Sequence, residues 1–256
     1  MTTIVTIANQ KGGVAKTTTT RHLAYFLEEL GHKTLVIDND HQANLTQYFG
    51  LDPIECEEAR GSMYHVVTGS KTIADVMVKF SENLYIVPSS LSLAEAGARL
   101  IHETDVNGVL KNALRPVQND FRVILIDCGP NLERLLINAL VASRWVLVPT
   151  KTDSLSISGI PALVSTINKV RASMNPTLEL LGVLPTIYHA GRQADEKALG
   201  RLRDEAGTAG VRIFDPIPAA TNYDKAADLQ KPVFEVFPDT PGRKEYEVLA
   251  ALISCI

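Results

Sequence analysis

Eight residues, Lys11-Gly12-Gly13-Val14-Ala15-Lys16-Thr17-Thr18, put two glycines, two lysines and two threonines at one junction. An apolar run, residues 2–8, precedes them, and a helix-compatible segment, residues 17–30, follows. Strand, glycine turn and helix in that order leave backbone N–H groups and a helix N-terminus free to face phosphate oxygens. In such a junction Lys16 carries charge to the outer phosphates, and the Thr17 hydroxyl ligates Mg²⁺. The common phosphate-loop spacing, G-x-x-x-x-G-K-[ST], would need glycines where Gln10 and Ala15 stand. Here the pattern is K-G-G-x-x-K-T, with a second lysine, Lys11, ahead of the glycines. Two acidic groups also end apolar runs: KTLVID leads into Asp38-Asn39-Asp40-His41-Gln42-Ala43-Asn44, and FRVILID ends at Asp127 before Cys128-Gly129-Pro130-Asn131. Carboxylates at strand ends beside a phosphate loop can hold the water shell of Mg²⁺ or orient an attacking water.

These groups need strands to carry them. Candidates are residues 4–8, 34–37, 84–87, 123–126, 145–148, 180–184 and 211–214, with helical patterns between them. Several are unbroken Val/Ile/Leu runs, as expected of parallel strands covered on both faces. The alternation predicts an α/β fold, a doubly wound, mostly parallel sheet with ligands at the carboxyl ends of its strands. Further helices are expected at residues 62–68, 73–78, 100–114 and 154–172. A closing helix from Arg243 should place Tyr246, Leu249, Leu252 and Ile253 on one face. No repeat, low-complexity segment or Gly/Ser linker divides the 256 residues, which read as a single domain, 1–256.

A net charge of −4 and a hydrophobic share of 45% suit an ordinary globular chain, so any nucleic-acid contact requires a local basic patch. No apolar run approaches the length that spans a bilayer, and the first residues read as a buried strand, not a signal peptide. Cys56, Cys128 and Cys255 lie far apart without a C-x-x-C, as in a reduced, cytoplasmic protein lacking disulfides or a zinc ribbon.

Together these motifs resemble the deviant-Walker P-loop ATPases of the ParA/MinD family. That family shares [KR]-G-G-x-x-K-[ST], most often KGGVGKTT, from which this chain departs at Ala15. DNDHQAN matches its D-x-D-P-Q-[GA]-N except at His41, and DCGPN departs from its D-x-P-P-S at Gly129 and Asn131. The resemblance implies ATP/ADP and Mg²⁺ as cofactors. Nucleotide contacts would come from Lys11, Gly12, Gly13, Val14, Ala15, Lys16, Thr17, Thr18 and Asp127, and metal contacts from Thr17, Asp38 and Asp127. It makes Lys11, Lys16 and Asp40 catalytic, with Asp40 placing or activating the water. Lys11 would reach across a nucleotide-sandwich homodimer to the partner's phosphates, leaving the enzyme weak alone. Thr186 and Pro218, in segments resembling later family motifs, would lie against the adenine; Ala219-Ala220 replaces the family's arginine–asparagine pair. Three residues keep two readings each. His41 is a general base or a replaced turn proline, Cys128 a redox or cluster-ligating thiol or a small filler, and Lys151 a nucleotide contact or a solvated lysine.

Within the family, partition-type members bind DNA non-specifically in the ATP state and answer to a ParB-like or cargo adaptor that stimulates hydrolysis. This implies a cytoplasmic, nucleoid-associated protein. Division-site members use a basic amphipathic C-terminal helix to reach membrane. EVLAALISCI has no basic face, so no membrane partner is expected. Arg192, Lys197, Arg201 and Arg203 are the DNA-contact candidates. Asp195, Glu196, Asp204 and Glu205 are interleaved with them, and a solvated helix face is the alternative. Nothing ahead of the first strand could hold a helix-turn-helix, so specific operator binding is not expected. The competing classes are an amidoligase or synthetase (dethiobiotin synthetase or cobyrinate amidase types), a MinD-like spatial regulator, an iron–sulfur reductase and a non-hydrolysing scaffold.

Overall fold

The computed structural model describes residues 2–99, 106–130 and 134–256. Among them, seven strands form one sheet: β1 (Thr3–Ile7), β2 (Thr34–Asn39), β3 (Val78–Lys79), β4 (Leu84–Val87), β5 (Val123–Cys128), β6 (Trp145–Lys151) and β7 (Glu179–Thr186). Their spatial order is β3-β4-β2-β5-β1-β6-β7, and all pairs are parallel except β3 with β4. The doubly wound sheet expected from the sequence is therefore present.

Every residue of β1, β2 and β5 is buried. Successive side chains point to opposite faces. Ile4, Leu35, Ile37, Ile124 and Ile126 join one core, with the helices Val109–Leu114, Arg134–Ala142 and Ile160–Ser173. Val5, Ile7, Val36, Val123 and Leu125 join the other, with Lys16–Glu29 and Arg243–Cys255. Two apolar faces on one strand leave no polar alternation to read. In the closing helix Tyr246, Leu249 and Ile253 are buried and Leu252 half-buried.

Three expectations change. Residues 211–214 make a single bridge, Val183 to Ile213, and not a strand. The ladder stops because Pro185, two residues on, has no N–H to donate. The long helix over 154–172 is two, Ser154–Ser158 and Ile160–Ser173, broken at Gly159, with Pro161 in the first turn of the second. The helix from Ile73 ends at Val76, and the chain enters β3, an exposed edge strand too short to leave a pattern. Of the helix expected over 100–114, Val109–Leu114 is present, and 100–105 lie outside the described residues.

β5 lies between β1 and β2, so register places Asp127 opposite both Ile7 and Asp38. The loop after β1 and the acids after β2 and β5 thus converge at one edge of the sheet.

Candidate active site

After β1 the chain turns through Gly13 (φ 67°) and Ala15 (φ 60°, ψ 34°), both left-handed, and enters the helix at Lys16. Glycine takes this conformation freely, whereas an alanine there costs about 1–2 kcal/mol. No side chain caps the helix at Ala15, so the first-turn N–H groups are left to a ligand. Replacing Ala15 by glycine is expected to relieve the strain, partly offset by greater freedom of the unfolded chain. The melting temperature should rise by about 1–3 °C; a fall would mean the methyl packs favourably.

Lys16 is buried, and its ammonium donates to the Lys11 carbonyl at 3.0 Å. Burial pulls its pKa below the ordinary lysine value, and the charges of Asp127 and Asp40 act the other way. The Thr17 hydroxyl donates to Asp127 Oδ2 at 2.7 Å, and Thr20 donates to Oδ1 at 3.1 Å. Burial, then the neighbouring Asp38, pushes Asp127 up to about 8. Asp38 accepts from the Thr46 amide and hydroxyl at 2.8 and 2.6 Å and from the Asp40 amide at 3.2 Å, and burial raises it to about 7. Both Asp38 oxygens are thus engaged in holding the loop. The Asp40 Oδ1 accepts the Gln42 amide at 3.0 Å, with His41 Nδ1 3.6 Å away.

Asp127, a buried carboxylate whose ionisation is suppressed, fits with the Thr17 hydroxyl a cation that restores its charge, whereas Asp38, expected among the metal contacts, has both oxygens turned to its own loop. The donors are all hard oxygens. Such donors suit Mg²⁺, an ion that keeps waters and phosphate oxygens as its other ligands.

A cavity of 730 Å³ is lined by Gly12, Gly13, Lys16, Thr17, Asp40 and Pro130. A second, of 490 Å³, is lined by Thr186, Pro218, Ala219, Ala220 and Tyr223. Thr186 and Pro218 therefore share one cavity beside the loop. The Thr186 hydroxyl also braces the loop, lying 3.1 Å from the Val14 carbonyl. Thr18 lines both cavities, whereas Lys11 is exposed and its methylenes lie along Gly159. Cys128 is buried, its thiol raised by burial and facing Asn39 Nδ2 at 3.8 Å, an environment for an inert filler. Asn131 lies outside the described residues.

Three residues at the site take on a role that the sequence left open or did not mark. Lys151, at the end of β6, is half-buried, with Nζ 3.7 Å from where a Cβ on Gly13 would stand. It is not a freely solvated lysine; pairing of β6 with β1 brings it there. At Gly129 a Cβ would sit 2.9 Å from Asp40 Oδ1, so the missing side chain makes room for that carboxylate. Ile187, β-branched yet at φ 54°, holds strained backbone where the two cavities meet. Only that φ, invisible in sequence, marks it.

Arg192, Lys197, Arg201 and Arg203 are all exposed, the last three on the helix Gln193–Ala209. At about 100° per residue Lys197 and Arg201 share a face, whereas Arg203 lies about 200° beyond Arg201. The four therefore do not form one stripe, and Arg201 approaches Glu205 at 3.9 Å.

A parallel sheet with a glycine-turn loop after its first strand and a carboxylate ending the neighbouring strand is the architecture of a P-loop nucleotide-binding protein. Residues 2–180 match the family model described as an AAA domain. The sporulation initiation inhibitor protein Soj of Bacillus subtilis is 31% identical over 252 residues, covering 96% of each chain. A crystal structure of cobyrinic acid a,c-diamide synthase from Mycobacterium smegmatis with bound ADP and magnesium is 32% identical, covering 98% of this chain and 93% of that one, with a TM-score of 0.83. A putative plasmid partition protein from Borrelia burgdorferi, bound to AMPPNP, is 25% identical over the full length of both chains, also with a TM-score of 0.83. The chain belongs to the ParA/MinD family of deviant P-loop ATPases.

Proposed function

We propose that the protein is an ATP-dependent switch. ATP closes two copies into a nucleotide-sandwich dimer, the dimer binds DNA without sequence preference on the nucleoid, and an adaptor stimulates hydrolysis to reopen it. The cycle would segregate or position a plasmid, chromosome or other cargo. One observation carries this reading: Lys11 lies outside its own phosphate cavity, exposed along Gly159, while Lys16 occupies the cavity wall. A cation presented outward beside a phosphate loop supports a reach to a partner's phosphates.

Within one subunit, the loop N–H groups and Lys16 hold the phosphates. Thr17 and Asp127 would hold Mg²⁺, which would supply charge neutralisation at the phosphoryl oxygens. Asp40 lines the cavity with Oδ1 fixed by Gln42, leaving Oδ2 to orient or take a proton from the attacking water. Asp38 keeps that loop in place. Lys197 and Arg201 supply the basic face that DNA contact requires.

Lys11→Ala is expected to stay monomeric in ATP by sedimentation and to lose turnover by roughly a thousandfold, the scale of one missing transition-state cation. Wild-type dimerisation and turnover in this variant would sink the proposal. A second reading, an ATP-dependent amide-forming enzyme, is favoured by the likeness to the Mycobacterium smegmatis structure. A small-molecule product formed in step with ADP would select it.

A further inference from the structure

The two cavities beside the phosphate loop meet at four residues lining both: Ala15, Thr18, Ile187 and Asp224. Phosphates on the loop and a base against Pro218 leave a nucleotide's sugar at that junction, because ribose is the covalent link between them. Of the four residues, only Asp224 is charged. It stands in the first turn of the helix Asn222–Asp228, is exposed, and among the described residues has no hydrogen-bond or ion-pair partner. Tyr48, the last residue of the helix Asn44–Tyr48, lines the larger cavity with it.

Backbone carbonyls of two of the other three are engaged within their own helix. The Thr18 carbonyl takes the His22 ring at 2.6 Å, and the Ala15 carbonyl takes the Thr19 amide at 2.9 Å. A carboxylate is an acceptor with two oxygens, and a vicinal diol offers two O–H donors side by side. An acid here suits hydroxyls and repels phosphate.

The geometry points to Asp224 as the residue that reads the nucleotide's sugar. Its carboxylate accepts the 2′- and 3′-hydroxyls, so the site prefers ribonucleotides to deoxyribonucleotides. This rests on the reading that the site binds ATP.

The test is calorimetric titration of wild type, Asp224→Ala and Asp224→Asn with ATP and with 2′-deoxy-ATP, each with Mg²⁺. Wild type is expected to hold ATP roughly fivefold to tenfold more tightly than the deoxy form, the scale of one exposed charge-assisted hydrogen bond. Asp224→Ala should weaken ATP by a similar factor and treat both nucleotides alike, while Asp224→Asn, which keeps one acceptor, retains part of the preference. Equal wild-type affinities, or a preference untouched in Asp224→Ala, would overturn the assignment alone. Wild type that binds neither nucleotide would overturn the ATP reading and the assignment with it. Melting temperatures matching wild type show that the variants fold, as expected for an exposed position.

Discussion

Lys16→Ala is expected to lower ATP affinity by roughly a hundredfold or more without lowering the melting temperature of the nucleotide-free protein. Lys16 is buried with a backbone carbonyl as its hydrogen-bond partner, and no carboxylate comes within ion-pair distance of it among the described residues. An ammonium desolvated in this way destabilises the empty fold, and its charge is recovered when phosphate arrives. Losing one partner of a buried charge pair costs about 2–5 kcal/mol of binding, which sets the scale of the expected loss. Calorimetric binding and thermal melting separate the two effects. A variant that binds ATP like wild type would remove the loop from the site, and one that melts well below wild type would make Lys16 a structural cation.

The second large effect is on stability, and it depends on pH. Burial raises Asp127 to about 8 and Asp38 to about 7, against about 3.9 for an ordinary aspartate. Between those limits the folded chain holds protons that the unfolded chain has released. The stability this confers is fully present below about pH 4 and is lost as pH rises through 7 and 8. The nucleotide-free protein should therefore melt at a lower temperature at pH 8.5 than at pH 5.5. Each kcal/mol corresponds to roughly 2–4 °C for a chain of this size. Asp127→Asn removes the charge and keeps an acceptor for a threonine hydroxyl. It should flatten the pH dependence and melt above wild type at pH 8.5, while losing Mg²⁺-dependent ATP binding. Melting temperatures that climb from pH 5.5 to 8.5 in the wild type would show that the two acids are ionised in the empty site. The same substitution thus stabilises the fold and disables the site, as expected where carboxylates are buried for a cation and not for the core.

Much of this protein was legible in the chain itself. Lys11 to Thr18, Asp38 to Asn44 and Asp127 lie in short strand-to-turn segments whose chemistry is local. Glycine and helix-start signals, and an acid ending an apolar run, can be read within a dozen residues. The doubly wound class followed likewise, because unbroken apolar runs mean two covered faces. Which strands are neighbours was not legible, since runs buried on both faces look alike and carry no mark of their partners. Tertiary structure alone put Asp127 beside Thr17, 110 residues away, and Lys151 beside Gly13 through pairing of β6 with β1. It also made Gly129 the space for Asp40 and brought Asp224 to the junction of the two cavities. Close approach, left-handed backbone at Ala15 and Ile187, and burial that raises Asp127 are properties of neighbours in space, which local spacing does not encode.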